Sequence, residues 1–322
     1  MDKPDKIVIV VPKGELVVSS MAGSYKLFKS AIEVTDSQVD LLIAGTKKSH
    51  SFLDGFFSVT PSIHWNNISK ADLIIVPAVK EDIEGALKNN QQLMNWLVSQ
   101  YKQGAHIASL CTGSFILAEA GLLKSRRCTT HWLFTDQFTK TYRDTNFSKN
   151  NIITEDERIY TSGGAYSFLN LIVYLIERFF GKEAALQIIS IYQVDKNRSS
   201  QDPFVIFNTQ KIHHDDDIQK VQDFIESNYE RKMMNQELAS IAKLGAKTLV
   251  RRFKSLTGNT PNEYLQRVRT EAAKDLLVST QKHISEIQYR VGYSDPKTFR
   301  DIFHRYTGLT PMAYRKKYMI NS

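Results

Sequence analysis

The chain of 322 residues has only two cysteines, Cys111 and Cys128. That is too few for a disulfide framework and points to a reducing compartment, with the cytoplasm as the expectation. No apolar run is long enough to span a membrane; the richest, Phe168 to Ile176, is cut off by Glu177 and Arg178. Met1 to Lys6 leads into only five apolar residues before Pro12, which argues against a secretory signal peptide. No glycine-rich phosphate loop opens a helix, so nucleotide binding has no support. Cys128 and His131 have ligand-like spacing, but two residues do not make a zinc site, and no metal or cofactor is expected. His213 to Asp217 lies just before a helix and reads as a solvated acidic cap rather than a chelate.

The first 217 residues also lack net charge, with 23 Lys and Arg against 24 Asp and Glu. Residues 218–322 hold 19 against 10, so the whole basic surplus of the chain sits there. The same segment contains a repeat. Phe253, Thr257, Gly258, Thr260, Pro261 and Tyr264 recur as Phe303, Thr307, Gly308, Thr310, Pro311 and Tyr314, each pair 50 positions apart. Two copies are too few for a solenoid. A basic segment built from two copies of one helical unit is the footprint of a nucleic-acid-binding module.

Length allows two domains. In the first half, Ile7–Val11, Val39–Ala44, Leu73–Val76 and His106–Ala108 read as strands, separated by helical patterns such as Tyr25–Ala31 and Gln91–Lys102. The unbroken apolar character of the first and third implies burial on both faces, hence a wound α/β sandwich with a parallel sheet. A polar strand pair, Ile152–Thr154 and Ile159–Thr161, precedes helices expected over Ala165–Phe179 and Lys182–Gln193. Periodicity then fails over a polar stretch, so the expected division is a domain over 1–195, a linker over 196–217 and an all-α domain over 218–322. Seven short helices are expected in the last, the fourth running from Pro261 to Leu277.

Within each repeat a helix, a short turn and a second helix follow one another. The second copy shows strong cap chemistry in Gly292-Tyr293-Ser294-Asp295-Pro296, whereas Leu244-Gly245-Ala246 is a weaker start. In the second helix of the first copy, Leu249, Phe253 and Leu256 form the expected inward stripe, leaving Lys247, Val250, Arg251 and Lys254 outward. In that of the second copy, Phe299, Phe303 and Tyr306 face in, and Lys297, Thr298, Arg300, Asp301 and His304 complete the candidate DNA-binding set. Arg251 suits bidentate contact to guanine and Val250 a thymine methyl. Lys254, Arg252 and Thr260 suit phosphate. Two such readers joined by a helix about 25 Å long would address successive major grooves, about 34 Å apart.

These motifs resemble the AraC/XylS family of bacterial transcription regulators. The resemblance rests on Leu238-Ala239, Leu249 to Lys254 and Gly258 to Pro261 in the first copy. In the second it rests on Ile284 to Ile287, Val291 to Phe299, Phe303 and Gly308 to Pro311. It implies double-stranded DNA as partner and activation through RNA polymerase. The chain departs from the family's pattern at Asp301, where Arg is frequent; here the Arg stands at 300.

Upstream, Cys111-Thr112-Gly113 falls on the turn between the strand ending near Leu110 and a helix over Phe115–Ala120. Free helix N–H groups there are expected to favour a thiolate. Thr129-Thr130-His131-Trp132 follows, and His131 is placed to share the pocket. Together with Leu117 to Leu123 and Arg126-Arg127, these residues resemble the PfpI-type branch of the class I glutamine-amidotransferase-like superfamily. More narrowly they resemble the sensor domain of GlxA-like regulators. The resemblance implies a flavodoxin-like, amidotransferase-like domain that dimerises and senses a small nitrogen-containing metabolite, such as an amino acid or quaternary ammonium compound. The hydrolase branch places histidine directly after its cysteine, where this chain has Thr112, and draws an acid from an early turn, where Ser19 to Gly23 offers serines. A nucleophile without base and orienting acid fails the triad logic, so no catalytic residue is expected. Cys111 is then either a small packing residue or part of a ligand pocket, whose expected lining is Cys111, Thr112, His131, Trp132 and Ser20. Trp132 would offer a cation–π face. The competing readings are a Cys111-dependent amidase-like enzyme with a helical appendage, and a nonspecific DNA binder.

Overall fold

The computed structural model describes residues 3–80, 82–149, 151–164, 166–195, 213 and 215–319. The chain folds as two compact units, Met1–Gln201 and Asp202–Ser322. The expected linker over 196–217 lies outside the described residues except for His213 and Asp215 to Asp217.

The first unit opens with β1 (Lys6–Val10), α1 (Val18–Val34), β2 (Asp40–Gly45), β3 (His50–Phe52), β4 (Phe57–Val59) and β5 (Ile63–His64). It continues through β6 (Leu73–Val76), α2 (Ile83–Asn89), α3 (Gln91–Lys102), β7 (His106–Ser109), α4 (Ser114–Glu119) and β8 (Arg127–Cys128). It closes with α5 (Thr135–Thr141), β9 (Asn146–Phe147), β10 (Ile153–Asp156), β11 (Ile159–Ser162), α6 (Ser167–Phe180) and α7 (Lys182–Tyr192). Seven strands form one sheet in the order β10-β11-β7-β6-β1-β2-β5. Every pairing in it is parallel except β10 with β11.

Successive residues of β1 point to opposite faces and both faces are covered. Ile7 and Ile9 join a core with Phe28 of α1 and Leu171 and Ile172 of α6. Val8 and Val10 join another with Leu97 of α3 and Phe115 and Ile116 of α4. This two-sided burial is why Ile7 to Val10 of β1 and all of β6 are apolar. The β3–β4 hairpin was not expected; its signal was the Asp54-Gly55 turn dipeptide, both residues having positive φ.

Among the described residues of the second unit the regular elements are all helices: α8 (Asp216–Ser227), α9 (Asn235–Ile241), α10 (Ala246–Thr257), α11 (Pro261–Ser279), α12 (Ile284–Arg290), α13 (Pro296–Thr307) and α14 (Pro311–Tyr318). The Asp215 side chain accepts from the Ile218 N–H, so the acidic run caps α8. Two small cores form, one per repeat. Tyr264 and Leu265 of α11 pack in the first, and Ala273 and Leu277 of the same helix in the second. At 19 residues α11 is about 28 Å long. Within the described residues no helix is long and apolar enough to cross a membrane.

Candidate nucleic-acid interface and the Cys111 turn

The repeat has a local cause. α10 and α13 each end on a left-handed glycine, Gly258 at φ +70° and Gly308 at φ +69°, a conformation that glycine adopts at little cost. Just before it, the Thr257 hydroxyl donates to the Phe253 carbonyl at 2.8 Å and accepts from the Asn259 N–H at 3.2 Å. Thr307 makes the same pair of bonds, to the Phe303 carbonyl at 2.8 Å and from the Leu309 N–H at 3.2 Å. The next helix starts immediately, Thr260 or Thr310 capping it and proline in its first turn. Phe253 meets Tyr264 edge-on at 5.3 Å, and Phe303 meets Tyr314 edge-on at 5.4 Å. Each repeated residue thus fixes the angle between α10 or α13 and the helix that follows.

One inward assignment is corrected. Leu256 is exposed, and Thr257 takes the buried position one residue on. Its hydroxyl can be buried because the helix end supplies partners, so the stripe runs Leu249, Phe253, Thr257 at a spacing of four. In α13 the buried set is Phe299, Ile302, Phe303 and Thr307, with Tyr306 half-buried.

The outward face of α10 is concave. Lys247, Val250, Arg251 and Lys254 line an open groove of about 540 Å³ with Asn235, Ala246 and Ser255. The side chains of Lys247, Arg251 and Lys254 make no hydrogen bond or ion pair among the described residues. Arg252 differs: its Nε lies 2.7 Å from Asp215, tying α10 to the start of α8 rather than leaving the guanidinium for phosphate. The Thr260 hydroxyl is likewise engaged, 2.9 Å from Glu263 in a capping box.

On α13, Lys297, Thr298, Arg300, Asp301 and His304 are all exposed. Asp295 caps the helix, accepting from the Thr298 N–H and hydroxyl, each at 2.6 Å. Those bonds hold its carboxyl below the usual range and spend the Thr298 hydroxyl inside the cap. Arg300 and Asp301 approach to 4.0 Å. Gly245, at the start of α10, offers no side-chain cap.

In the first unit, Cys111 lies between β7 and α4 with φ +54°, left-handed for a non-glycine residue. Its carbonyl accepts from the Ser114 hydroxyl at 3.0 Å and the Thr130 hydroxyl at 3.2 Å, and its N–H donates to the Ser162 hydroxyl at 3.4 Å. Gly113 packs so closely that a Cβ there would lie 2.6 Å from the Val76 carbonyl oxygen. The loop after β6 receives two of the expected pocket residues. Thr112 donates its hydroxyl to the Val79 carbonyl, and the Ser20 hydroxyl accepts from the Ala78 N–H at 3.2 Å.

The expected thiolate is overturned. Burial pushes the Cys111 thiol up to about 11, and hydrogen bonds from Thr112 only partly oppose it. The thiol is only 6% exposed, and helix α4, which follows it, has six residues. His131 accepts from the Leu133 N–H at 3.1 Å, and burial lowers its pKa, favouring the neutral ring. Trp132 is half-buried with its ring 5.4 Å from that of His131. Ser114 and Ser162 were not anticipated; their hydroxyls act on backbone atoms, which leaves no pattern in the sequence.

Residues 5–178 match the DJ-1/PfpI family over more than half of the chain. The chain belongs to the DJ-1/PfpI family. Residues 238–317 of this DJ-1/PfpI member match a helix-turn-helix domain family. Among its relatives, the HTH-type transcriptional regulator GbdR of Pseudomonas aeruginosa is 24% identical over 80% of this chain and 70% of the relative. The HTH-type transcriptional regulator CdhR of the same species is 26% identical over 72% and 68%. Two solved structures share the fold of the first unit. An AraC family transcriptional regulator from Pseudomonas putida has a TM-score of 0.52 and 14% identity over 59% of this chain and all of its own. Drosophila melanogaster DJ-1beta has a TM-score of 0.51 and 15% identity over 61% of this chain and all of its own. This DJ-1/PfpI member is a DNA-binding, AraC-type transcriptional regulator.

Proposed function

We propose that α10 and α13 read two successive major grooves. In this reading the unit over 1–195 senses a small nitrogen-containing metabolite and forms a homodimer. The region over 218–322 carries the response to DNA and, as an activator, to RNA polymerase in the cytoplasm. The observation that carries the DNA reading is the α10 groove, in which Lys247, Arg251 and Lys254, with no hydrogen bond or ion pair among the described residues, surround the half-buried Val250. Cations not locked to carboxylates are available to phosphate and base edges, and Val250 offers an apolar contact between them. Arg251 contacts guanine, Lys247 and Lys254 hold phosphate, and Lys297, Arg300, Asp301 and His304 form the second reader, with Thr298 at its cap.

The Cys111 turn supports a binding rather than a reactive role, because the left-handed turn is kept while the thiol is protonated and buried. Cys111, Thr112, Ser20, His131 and Trp132 are its proposed lining. A metabolite acts only if it binds the two conformational states unequally.

The test selects bound duplexes from a random pool with the full chain. Arg251→Ala is then measured on a selected duplex and on an unrelated one. A loss of roughly 1–3 kcal/mol confined to the selected duplex supports base reading. Equal losses on both overturn it in favour of nonspecific binding. Thermal unfolding against single amino acids and quaternary ammonium compounds tests the sensor, since a ligand that binds only the folded state raises the midpoint.

A further inference from the structure

Arg269 sits near the middle of α11 and is only 8% exposed. Its Nε donates to the Tyr229 carbonyl at 2.7 Å, and an Nη donates to the Arg231 carbonyl at 2.9 Å. Both carbonyls belong to the segment between α8 and α9, which serves the first reading unit. The guanidinium also lies 5.0 Å from the ring centroid of Tyr293, in the turn that starts the second reading helix. Gly292, beside it, has φ +84°, and a Cβ there would lie 2.4 Å from the Glu230 carbonyl oxygen and 2.6 Å from an Arg269 nitrogen. Tyr229 itself packs against the cores of both repeats. One side chain therefore joins the spacer helix, the α8–α9 segment of the first unit and the α12–α13 turn of the second.

The chemistry of the contact is unusual for a stabilising core residue. No carboxylate pairs with Arg269 among the described residues; its charge is satisfied by two carbonyls and an aromatic face. Burying a cation without a counter-ion costs stability, and an apolar residue would fill the space more cheaply. A planar fork bound to two fixed carbonyls defines an orientation that packing alone does not define. The two cores share helix α11 and the Tyr229 ring but no other described residue, and apolar contacts of that kind define the angle between them less sharply than directional hydrogen bonds do.

We propose that Arg269 is a positioning residue that sets the angular register between α10 and α13, and so selects DNA whose two half-sites have one spacing. This rests on the two-groove reading proposed above. Register matters because one added base pair rotates the second half-site by about 35° around the duplex. Two readers held rigidly gain affinity from each other only when geometry lets both engage.

The experiment uses the full chain and a duplex selected from a random pool by the wild-type protein, together with versions lengthened or shortened by one base pair between the half-sites. Wild type should prefer the selected spacing by at least about tenfold. Arg269→Lys, which keeps the charge but not the fork, and Tyr293→Leu, which removes the ring beneath it, should each bring that ratio close to one. Binding to a duplex carrying a single half-site should stay within about twofold. Thermal unfolding of each variant checks folding, and either variant alone suffices if the other does not fold. A spacing ratio unchanged in a folded variant overturns the proposal, even if overall affinity falls, because a purely structural residue would lower binding to all duplexes alike. A selected duplex with only one half-site, or equal binding by wild type to all spacings, defeats the two-groove reading itself.

Discussion

Cys111 offers the sharpest test of how the first unit is built. Its thiol is raised from an ordinary 9.0 to about 11 by burial. A thiol at about 11 is ionised in roughly one molecule per thousand at pH 8, against roughly one in ten for a thiol at the ordinary 9.0. Alkylation by iodoacetamide at pH 8 should therefore run at least about a hundredfold slower than for a free thiol, before any steric protection. The same shift makes a stability prediction. A folded-state pKa above the unfolded one means that the folded thiol keeps its proton where the unfolded chain gives it up. The stabilisation is complete below about pH 9 and is lost as pH rises to about 11. A rise from 9.0 to about 11 corresponds to about 2–3 kcal/mol. Other groups titrate in that range, so the comparison is with Cys111→Ala, in which they are unchanged. Urea unfolding of both proteins at intervals from pH 8 to 11 should show wild type losing about 2–3 kcal/mol relative to the variant. Parallel curves, or rapid stoichiometric labelling of Cys111 at pH 7 identified by mass spectrometry, would refute the buried-thiol reasoning and reopen a reactive role.

Three further outcomes follow from the DNA-binding unit. Lys254→Ala should weaken binding to selected and unrelated duplexes alike and reduce the dependence of log affinity on log salt by about one, measured by titration at several salt concentrations. Phe253→Ala and Phe303→Ala should each cost about 3–5 kcal/mol, since both rings are fully buried at equivalent positions; a loss under about 1 kcal/mol in chemical denaturation would contradict their place in the two cores. Asp295→Ala should cost about 1 kcal/mol by removing the cap of α13, read by chemical denaturation; no loss would contradict the bonds from Asp295 to Thr298.

Much of this regulator was legible because local rules and global fold agree. The parallel sheet could be read from Ile7 to Val10 and from β6, which are apolar on both faces, and the paired helical units from a repeat in which each residue has a local duty. Thr257, Gly258, Thr260 and Pro261 end one helix and start the next through neighbours within a few positions, so their meaning survives in one dimension. The starts of α11, α13 and α14 were legible for the same reason, as their cap and proline signals act at the helix end itself.

Other features depend on which distant atoms arrive beside a side chain. Arg252 and Arg251 are adjacent and identical in type, yet one meets Asp215 and the other faces an open groove, a difference set by where α8 packs. The Cys111 turn was foreseen, but its thiol's protonation was not, because desolvation comes from the elements closing over it. Leu256 and Thr257 exchanged roles because the hydroxyl finds partners only in the finished helix end. Arg269 looked like one more basic residue in a basic segment until α11, the α8–α9 segment and the turn at Gly292 met around it. By itself the sequence determined the main strands, the helical unit and the repeat, through short-range backbone and periodic constraints; only the tertiary structure decided which charges are tied to carboxylates and which face open surface, because that depends on through-space neighbours far apart along the chain.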